Sequence, residues 1–151
     1  MYYIVGDIGN TSTRICLLNK KSQIIKSTIF DTKKIFLNKN IRKIFKKFLI
    51  QKVEKKILFS SVVPLAFKKI KNSFKGSNYN ILEIKNFNLK KLIKINIKNI
   101  SQLGSDRIVN SIEGKKFKNC LIIDFGTATT FDIVRNKVYE GGVIAPGIRL
   151  S

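Results

Sequence analysis

The pattern of apolar and polar residues predicts two similar series of strands, one near each end of the chain. Apolar runs over residues 2–7, 14–19 and 23–30 are separated by polar turns, which is typical of an antiparallel meander. A second series predicts strands over residues 120–125, 130–135 and 138–145. The chain therefore repeats one arrangement of strands.

Helical periodicity dominates between the two series. Apolar side chains recur at the i, i+3, i+4, i+7 and i+8 positions of residues 41–49, with basic residues on the other face, and predict an amphipathic helix. Further helices are predicted from Pro64 to a stop at Gly76 and over residues 106–116, where Ser105 is the expected cap. Strands are predicted over residues 56–63, 79–84 and 92–98.

Length and composition indicate one globular domain, or a two-lobed protein that is cut short. The 151 residues include 30 basic and nine acidic ones, which give a net charge of +21. All but five of the basic residues are lysine, whereas nucleic-acid sites usually rely on arginine. A solvated basic surface is therefore favoured over a nucleic-acid or anionic-membrane site. The positive field should attract anionic substrates such as ATP.

The cysteine and histidine content limits the kinds of catalytic and metal site that the chain can form. Cys16 and Cys120 lie in apolar strand-like runs without a C-x-x-C motif, so buried free thiols in a reducing compartment are expected. The chain has no histidine, which excludes a histidine-based triad or metal site within it. It shows no signal peptide and no apolar run of membrane-spanning length, so we expect a cytoplasmic protein without a membrane partner.

An internal repeat carries the strongest functional signal. Residues 7–11, Asp-Ile-Gly-Asn-Thr, and residues 124–128, Asp-Phe-Gly-Thr-Ala, each follow an apolar strand and precede another strand. Glycine lets the backbone approach a ligand closely, and successive N–H groups in such a turn bind anions. Hydroxyl donors are plentiful in both copies, at Thr11, Ser12, Thr13, Thr127, Thr129 and Thr130. One copy alone would indicate only a hairpin turn. Two copies favour two lobes that face one phosphate chain, with the carboxylates holding its cation.

A third motif, Gly104-Ser105-Asp106-Arg107, stands at the start of a predicted helix. A carboxylate there is stabilised by the helix dipole, and the arginine can bind a carboxylate or phosphate. By itself the motif would indicate only a capping acid beside a surface arginine. However, four of the nine acidic residues, Asp7, Asp106, Asp124 and Asp132, lie in or beside these three motifs. This clustering favours a kinase-like function, in which a carboxylate accepts or orients a hydroxyl proton.

These residues together resemble the type III pantothenate kinases. The matching stretches follow the family's order, at residues 5–11, 60–64, 104–110, 123–132 and 141–148. The most specific of them are Asp-Phe-Gly-Thr-Ala-Thr-Thr-Phe-Asp at 124–132 and Gly-Gly-Val-Ile-Ala-Pro-Gly at 141–147. The resemblance implies an α/β fold of the ribonuclease H-like actin and sugar-kinase type, with two similar lobes built on mixed sheets. Those lobes would span residues 1–116 and 117–151, and the second would be incomplete.

The resemblance also implies roles for individual residues. The first phosphate loop, which would bind ATP together with Thr127, consists of Asp7, Ile8, Gly9, Asn10, Thr11, Ser12, Thr13 and Arg14. Asp7 would lie near Mg²⁺, and Asp124 would bind a monovalent cation, K⁺ or NH₄⁺. Gly104, Ser105, Asp106 and Arg107 would hold pantothenate, with Asp106 as the catalytic proton acceptor and Arg107 on the pantothenate carboxylate. The implied reaction is the ATP-dependent phosphorylation of pantothenate to 4'-phosphopantothenate, the first step of coenzyme A synthesis, by a homodimer.

Three departures from the family pattern keep other functions open. Arg14 replaces the usual lysine, and Ile97 replaces a tyrosine that often lies seven residues before the glycine of the G-x-D-R motif. The chain also ends at residue 151, before the rest of the second lobe. One alternative is a non-catalytic or degraded relative with a regulatory or binding role. Another is a basic nucleic-acid-binding protein, although Phe45 and Phe48 have core-facing spacing rather than that of a stacking platform.

Overall fold

The structure is a computed structural model that describes residues 1–147. After Asn86 the chain divides into two compact units, of which the first begins at Met1 and the second at Phe87. Each unit has its own mixed β-sheet. The predicted lobe boundary after residue 116 stays a prediction.

The first unit is built on a five-stranded sheet in the order β3-β2-β1-β4-β5. Its strands are β1 (Tyr2–Ile8), β2 (Ser12–Leu18), β3 (Ile24–Asp31), β4 (Val53–Ser61) and β5 (Asn80–Glu83). β1, β2 and β3 form the predicted antiparallel meander, and β4 and β5 continue the sheet in parallel. Its helices are α1 (Lys33–Leu37), α2 (Arg42–Phe45) and α3 (Pro64–Ser73), and a short 3-10 helix covers Ile84–Asn86.

The core of the first unit lies between this sheet and the helices. Its largest members are fully buried and include Ile8, Ile57 and the aromatic residues Phe45, Phe48 and Phe59. Phe45 contacts both Phe59 and Phe74 edge to face. The burial of Phe45 and Phe48 confirms that they belong to the core and leaves no aromatic platform there for nucleic-acid bases.

The second unit contains a four-stranded sheet in the order β6-β9-β8-β7. Its elements are α4 (Leu89–Leu92), β6 (Lys94–Ile95), α5 (Ser105–Gly114), β7 (Asn119–Phe125), β8 (Ala128–Arg135) and β9 (Val138–Pro146), with a 3-10 helix over Ile100–Gln102. β7, β8 and β9 form the second predicted meander, and β6 joins β9 in parallel.

Alternation along β7 gives the second sheet two different faces. Cys120 and Ile122 lie beside the end of α5, where a β-carbon at Gly114 would come within 3.1 Å of the Cys120 sulfur. Leu121, Ile123 and Phe125 point to the opposite face and are exposed. Both cysteines are free, as expected, although Cys120 is only partly buried. Among residues 1–147, no helix is long and apolar enough to cross a membrane.

Three local predictions need correction. The helix predicted over residues 41–49 is helical only at Arg42–Phe45, and turns carry the chain onward, although Ile41, Phe45 and Phe48 are buried as predicted. The strand predicted over residues 92–98 is reduced to β6, because α4 occupies the residues before it. Gly104, not Ser105, is the N-cap of α5, and Ser105 is the first helical residue.

Candidate active site

The loop between β1 and β2 contains the first predicted phosphate-binding motif. Asp7 is the next-to-last residue of β1 and is exposed. The Gly9 N–H donates to the Ser12 carbonyl at 3.0 Å, which closes the loop. Asn10, Thr11, Ser12 and Arg14 are also exposed. The loop therefore presents a carboxylate, hydroxyls and a cationic side chain on one small surface of the first unit.

Two residues of the predicted loop face inward instead. Ile8 is 0% exposed and belongs to the core, so only its backbone is available to a ligand. Thr13 is also 0% exposed, and its hydroxyl lies 2.9 Å from that of Thr32. The strand alternation of β2 explains this, because Thr13 points to the opposite face from Ser12 and Arg14.

Residues 60–64, another predicted family stretch, lie directly beside this loop. β4 runs parallel to β1 with Ser60 opposite Asp7 and Ser61 opposite Ile8. The Val62 N–H donates to the Ile8 carbonyl at 3.0 Å and continues the pairing past the end of β4. This stretch therefore supports the backbone at the end of β1.

The loop between β7 and β8 carries the second copy of the motif, in the second unit. The Gly126 N–H donates to the Ala128 carbonyl at 3.1 Å, so this loop is one residue shorter than the first one. Gly126 and Thr127 are exposed. A β-carbon at Gly147 would lie 2.4 Å from the Thr127 carbonyl oxygen, which shows how closely the end of β9 approaches the loop. Ile148, the last residue of the final matching stretch, lies outside the described residues.

Asp106 and Arg107 occupy the first turn of α5. Asp106 is partly buried, and its carboxylate accepts a hydrogen bond of 2.8 Å from the Arg107 N–H. A carboxylate in the first turn of a helix is favoured by the helix dipole. The backbone thus fixes the predicted catalytic acid while leaving part of it accessible.

Arg107 points into a polar network on the α5 side of the second sheet. Its Nε–H donates to Asp132 Oδ1 at 2.8 Å, and its Nη2 lies 2.6 Å from the same oxygen. The Tyr139 hydroxyl also donates to Asp132 Oδ1, at 2.7 Å. Asp132 and Tyr139 are both 0% exposed. Two donors therefore converge on one oxygen of a fully buried carboxylate.

This network shifts the pKa values of its members. Burial lowers the pKa of Arg107, but the hydrogen bond and charge of Asp132 outweigh that effect and raise it above its usual value. Burial is also the first cause that raises the pKa of Tyr139, and the hydrogen bond to Asp132 and its charge raise it further. Arg107 is therefore cationic and Tyr139 neutral across the physiological pH range.

Asp124, the predicted cation ligand, lies near the middle of α5. It is exposed at the end of β7, and its Oδ2 accepts a hydrogen bond of 3.1 Å from the Asn110 side-chain amide. No group of three or more carboxylate or thiol side chains suited to a metal occurs in residues 1–147. Mg²⁺ in kinases is commonly bound by one or two carboxylates together with substrate phosphates. A single carboxylate such as Asp7 therefore fits a metal that arrives with a nucleotide.

The comparisons with known proteins agree with these motifs. The family model of type III pantothenate kinases matches residues 3–151. A type III pantothenate kinase from Pelagibacter ubique is 51% identical over 98% of this chain and 60% of its own length. The chain belongs to the type III pantothenate kinase family. A type III pantothenate kinase from Thermosipho melanesiensis is 31% identical over 97% of this chain and 60% of its own length. The chain thus spans about 60% of these relatives of the family.

Solved structures of other proteins share the fold of this chain. A putative Baf family transcriptional activator from Campylobacter jejuni has a TM-score of 0.57 at 21% identity, over 96% of this chain and 55% of that one. A putative sugar kinase from Cytophaga hutchinsonii has a TM-score of 0.50 at 14% identity, over 99% of this chain and 53% of that one. At such identities the similarity shows the fold alone. Together with the two mixed sheets, it confirms the predicted actin and sugar-kinase type of α/β fold.

Several contacts in this candidate site were not predicted from the sequence. Asn110 and Asp132 each fall in a stretch that matches the family, but the sequence predicts no contact for either, and Tyr139 and Thr32 carry no local signal. An acid in the middle of a strand, in a chain so poor in acids, is a further sign that points to Asp132. Ile97, which replaces the tyrosine of the family, lies beside β9, 3.4 Å from a β-carbon placed on Gly141.

Proposed function

We propose that the protein at its full length transfers the γ-phosphoryl group of ATP to the primary alcohol of pantothenate, as its family name implies. The observation that carries the proposal is the family match over residues 3–151, which includes an acid and an arginine side by side in the first turn of α5. Phosphoryl transfer depends mainly on positioning and electrostatic stabilisation, and needs a carboxylate that accepts or orients the hydroxyl proton. Asp106 fits that role.

In this proposal, separate groups of residues bind the two substrates. Gly104, Ser105, Asp106 and Arg107 bind pantothenate, with the Arg107 guanidinium on its carboxylate. Asp7, Ile8, Gly9, Asn10, Thr11, Ser12, Thr13, Arg14 and Thr127 form the ATP site. Ile8 contributes through its backbone, and Thr13 supports the loop from inside. In support, five of the eight first-loop residues are exposed polar side chains.

Metal ions and assembly complete the proposal. Mg²⁺ is held near Asp7 by the ATP phosphates and supplies charge neutralisation of the transferred group. K⁺ or NH₄⁺ binds at Asp124, whose carboxylate Asn110 already orients. The protein acts as a cytoplasmic homodimer.

The test is a steady-state assay of the full-length protein with ATP, pantothenate and Mg²⁺. We expect turnover that depends on pantothenate, and Asp106→Asn should lower kcat by about 10²- to 10⁴-fold, the usual contribution of general acid–base catalysis. Glu113→Gln, the same carboxylate-to-amide change at an exposed position of α5, is the matched control and should retain activity. ATP turnover with no preference for pantothenate over other alcohols would refute the substrate assignment.

Nucleic-acid binding is a second candidate that only the net charge of +21 favours. A DNA-binding titration across salt concentrations distinguishes it from the kinase function. Lack of affinity at moderate salt would eliminate it, whereas tight binding together with absent pantothenate kinase activity would favour it.

A further inference from the structure

The burial of Asp132 and its partners costs free energy of folding, and the contacts they form are a poor way to gain stability. Removing a carboxylate from water is expensive, and a buried ion pair is often no more stabilising than apolar residues of the same volume. Asp132 is 0% exposed, yet hydrogen bonds from Arg107 and Tyr139 reach only its Oδ1. Its Oδ2 is buried and has no hydrogen-bond partner among residues 1–147. Such an arrangement is better explained by a role in holding Arg107 than by stability.

The geometry restricts the orientation of the Arg107 guanidinium. Nε donates the hydrogen bond to Asp132 Oδ1, and Nη2 lies 2.6 Å from the same oxygen, although among residues 1–147 it is buried and has no hydrogen bond of its own, so this edge of the group faces the carboxylate. About 13% of the Arg107 side chain remains exposed. Arginine carries five N–H donors in a rigid plane, so fixing one edge also fixes the direction of the remaining donors. An arginine held in this way is ready to bind an anionic group without first losing side-chain freedom.

Gly142 on β9 makes room for this arrangement. It pairs with Asp132 across the strands, and a β-carbon there would lie 2.7 Å from Arg107 Nη2 and 2.8 Å from Asp132 Oδ1. It would also lie 1.9 Å from the Phe131 carbonyl oxygen. Any side chain at this position would therefore displace the arginine, the carboxylate or the neighbouring strand.

We propose that Asp132 is a positioning residue, which together with Tyr139 and Gly142 holds Arg107 in the orientation that recognises the carboxylate of the substrate. The Tyr139 hydroxyl donates a hydrogen bond to Asp132 Oδ1, so it restrains the carboxylate together with Arg107. Asp132 itself does not contact the substrate. This inference rests on the proposed function, because it needs an anionic substrate that binds Arg107.

The test measures KM for pantothenate and for ATP separately in the full-length enzyme. Asp132→Asn keeps the shape of the side chain but removes its charge, and should raise the pantothenate KM about 10-fold while the ATP KM changes less than about 2-fold. Tyr139→Phe removes one hydroxyl and should raise the pantothenate KM about 3-fold. A loss of folded protein would lower the apparent kcat and leave both KM values unchanged. Glu113→Gln again serves as the control.

A double-mutant cycle with Arg107→Ala shows whether Asp132 acts through the arginine. Arg107→Ala alone should raise the pantothenate KM, and adding Asp132→Asn should then change it less than about 2-fold. An equal effect of Asp132→Asn with and without Arg107 would overturn the inference, as would an unchanged pantothenate KM in Asp132→Asn. If Asp132→Asn does not fold, the same cycle is made with Tyr139→Phe and read by the same criteria. A wild-type enzyme that does not phosphorylate pantothenate defeats the proposed function instead.

Discussion

At the scale of single residues, Thr32 connects the loop between β1 and β2, the proposed phosphate loop, to the body of its unit. Its hydroxyl donates to the Gly9 carbonyl at 2.7 Å, and its N–H donates to the Thr11 carbonyl at 2.9 Å. Because a hydroxyl has one proton, the 2.9 Å contact between Thr13 and Thr32 must be a donation from Thr13. Thr32 is 2% exposed, so it holds the loop through these hydrogen bonds from the buried side.

We expect Thr32→Val to loosen the first loop without changing its sequence. Valine matches the shape of threonine but leaves the Gly9 carbonyl and the Thr13 hydroxyl without their partner, which should cost about 1–3 kcal/mol of unfolding free energy. The ATP KM should rise in the full-length enzyme, while the pantothenate KM stays close to wild type. Thr28→Val, the same change on β3 at a half-buried position, is the control for urea denaturation and kinetics. Equal effects of the two substitutions would contradict a role for Thr32 in the loop.

Tyr139 should make stability depend on alkaline pH. Its pKa is raised in the folded protein, so the free energy it contributes is fully present below about pH 10, the pKa of an unfolded tyrosine. That free energy is lost as the pH rises towards the higher folded pKa, because only the unfolded chain then releases the proton. The unfolding free energy from urea denaturation above pH 10 should fall faster for the wild type than for Tyr139→Phe, by up to about 1.4 kcal/mol per pH unit. Lysine deprotonation affects both proteins alike, so parallel slopes would contradict the assignment.

Local sequence allowed Asp106 and Arg107 to be predicted as neighbours, because they are adjacent in the chain and open one helix. It did not allow Asp132 and Tyr139 to be joined to them. Those residues come from two later strands, and only the pairing of β8 with β9 and the packing of α5 on that sheet bring them to Arg107. Contacts between distant residues of this kind are set by the tertiary fold and leave no periodic signal.

At the scale of elements, the hairpin between β8 and β9 has a common type of turn with an unfavourable residue at its second position. Asn136 and Lys137 both have positive φ, at 51° and 63°, as a two-residue type I′ turn requires. Asparagine tolerates this conformation and lysine does so poorly, whereas glycine is preferred at the second position. The turn joins the strand that carries Asp132 to the strand that carries Tyr139.

We expect Lys137→Gly to stabilise the protein by about 0.5–1 kcal/mol, because glycine adopts positive φ without the steric cost of a β-carbon. Lys137→Ala removes the same charge but keeps a β-carbon, so it separates backbone preference from charge. Urea denaturation of the three proteins provides the measurement. A stabilisation shared equally by glycine and alanine would show that charge, not turn geometry, is responsible.

The elements whose pattern is local were predicted well, and those decided by packing were not. Both meanders follow from short apolar runs and turn residues. α3 follows from Pro64 at its start and from Gly76, which lies shortly after its end and has a φ of 75°. Residues 41–49 have helical spacing, yet turns after Phe45 bury Phe48 as fully as a continuous helix would. The apolar spacing therefore predicted correctly which side chains are buried, but it did not determine where the helix ends.

At the scale of the whole molecule, the excess of basic residues is the property that single sites do not explain. Ion pairs with the nine acids neutralise only part of 30 positive charges, and the net charge of +21 produces a long-range positive potential. A potential of this kind acts on ligands in proportion to their charge. ATP should therefore be attracted more strongly than pantothenate, which carries one negative charge.

We expect kcat/KM for ATP to fall about 10-fold as ionic strength rises from about 0.05 M to about 0.5 M, because salt shortens the Debye length from well over 10 Å to only a few ångströms. The fall for pantothenate should be smaller. Potassium is kept constant and sodium chloride is varied, so that occupancy of the proposed site at Asp124 does not change. Replacing Lys43, Lys46 and Lys47 with Gln lowers the net charge of these 151 residues from +21 to +18 and should reduce the slope for ATP. These lysines lie on one surface of the first unit, outside the proposed substrate-binding residues, so a changed slope with unchanged kcat identifies a field effect. Equal slopes for ATP and pantothenate would mean that the lysine excess reflects composition and has no part in substrate capture.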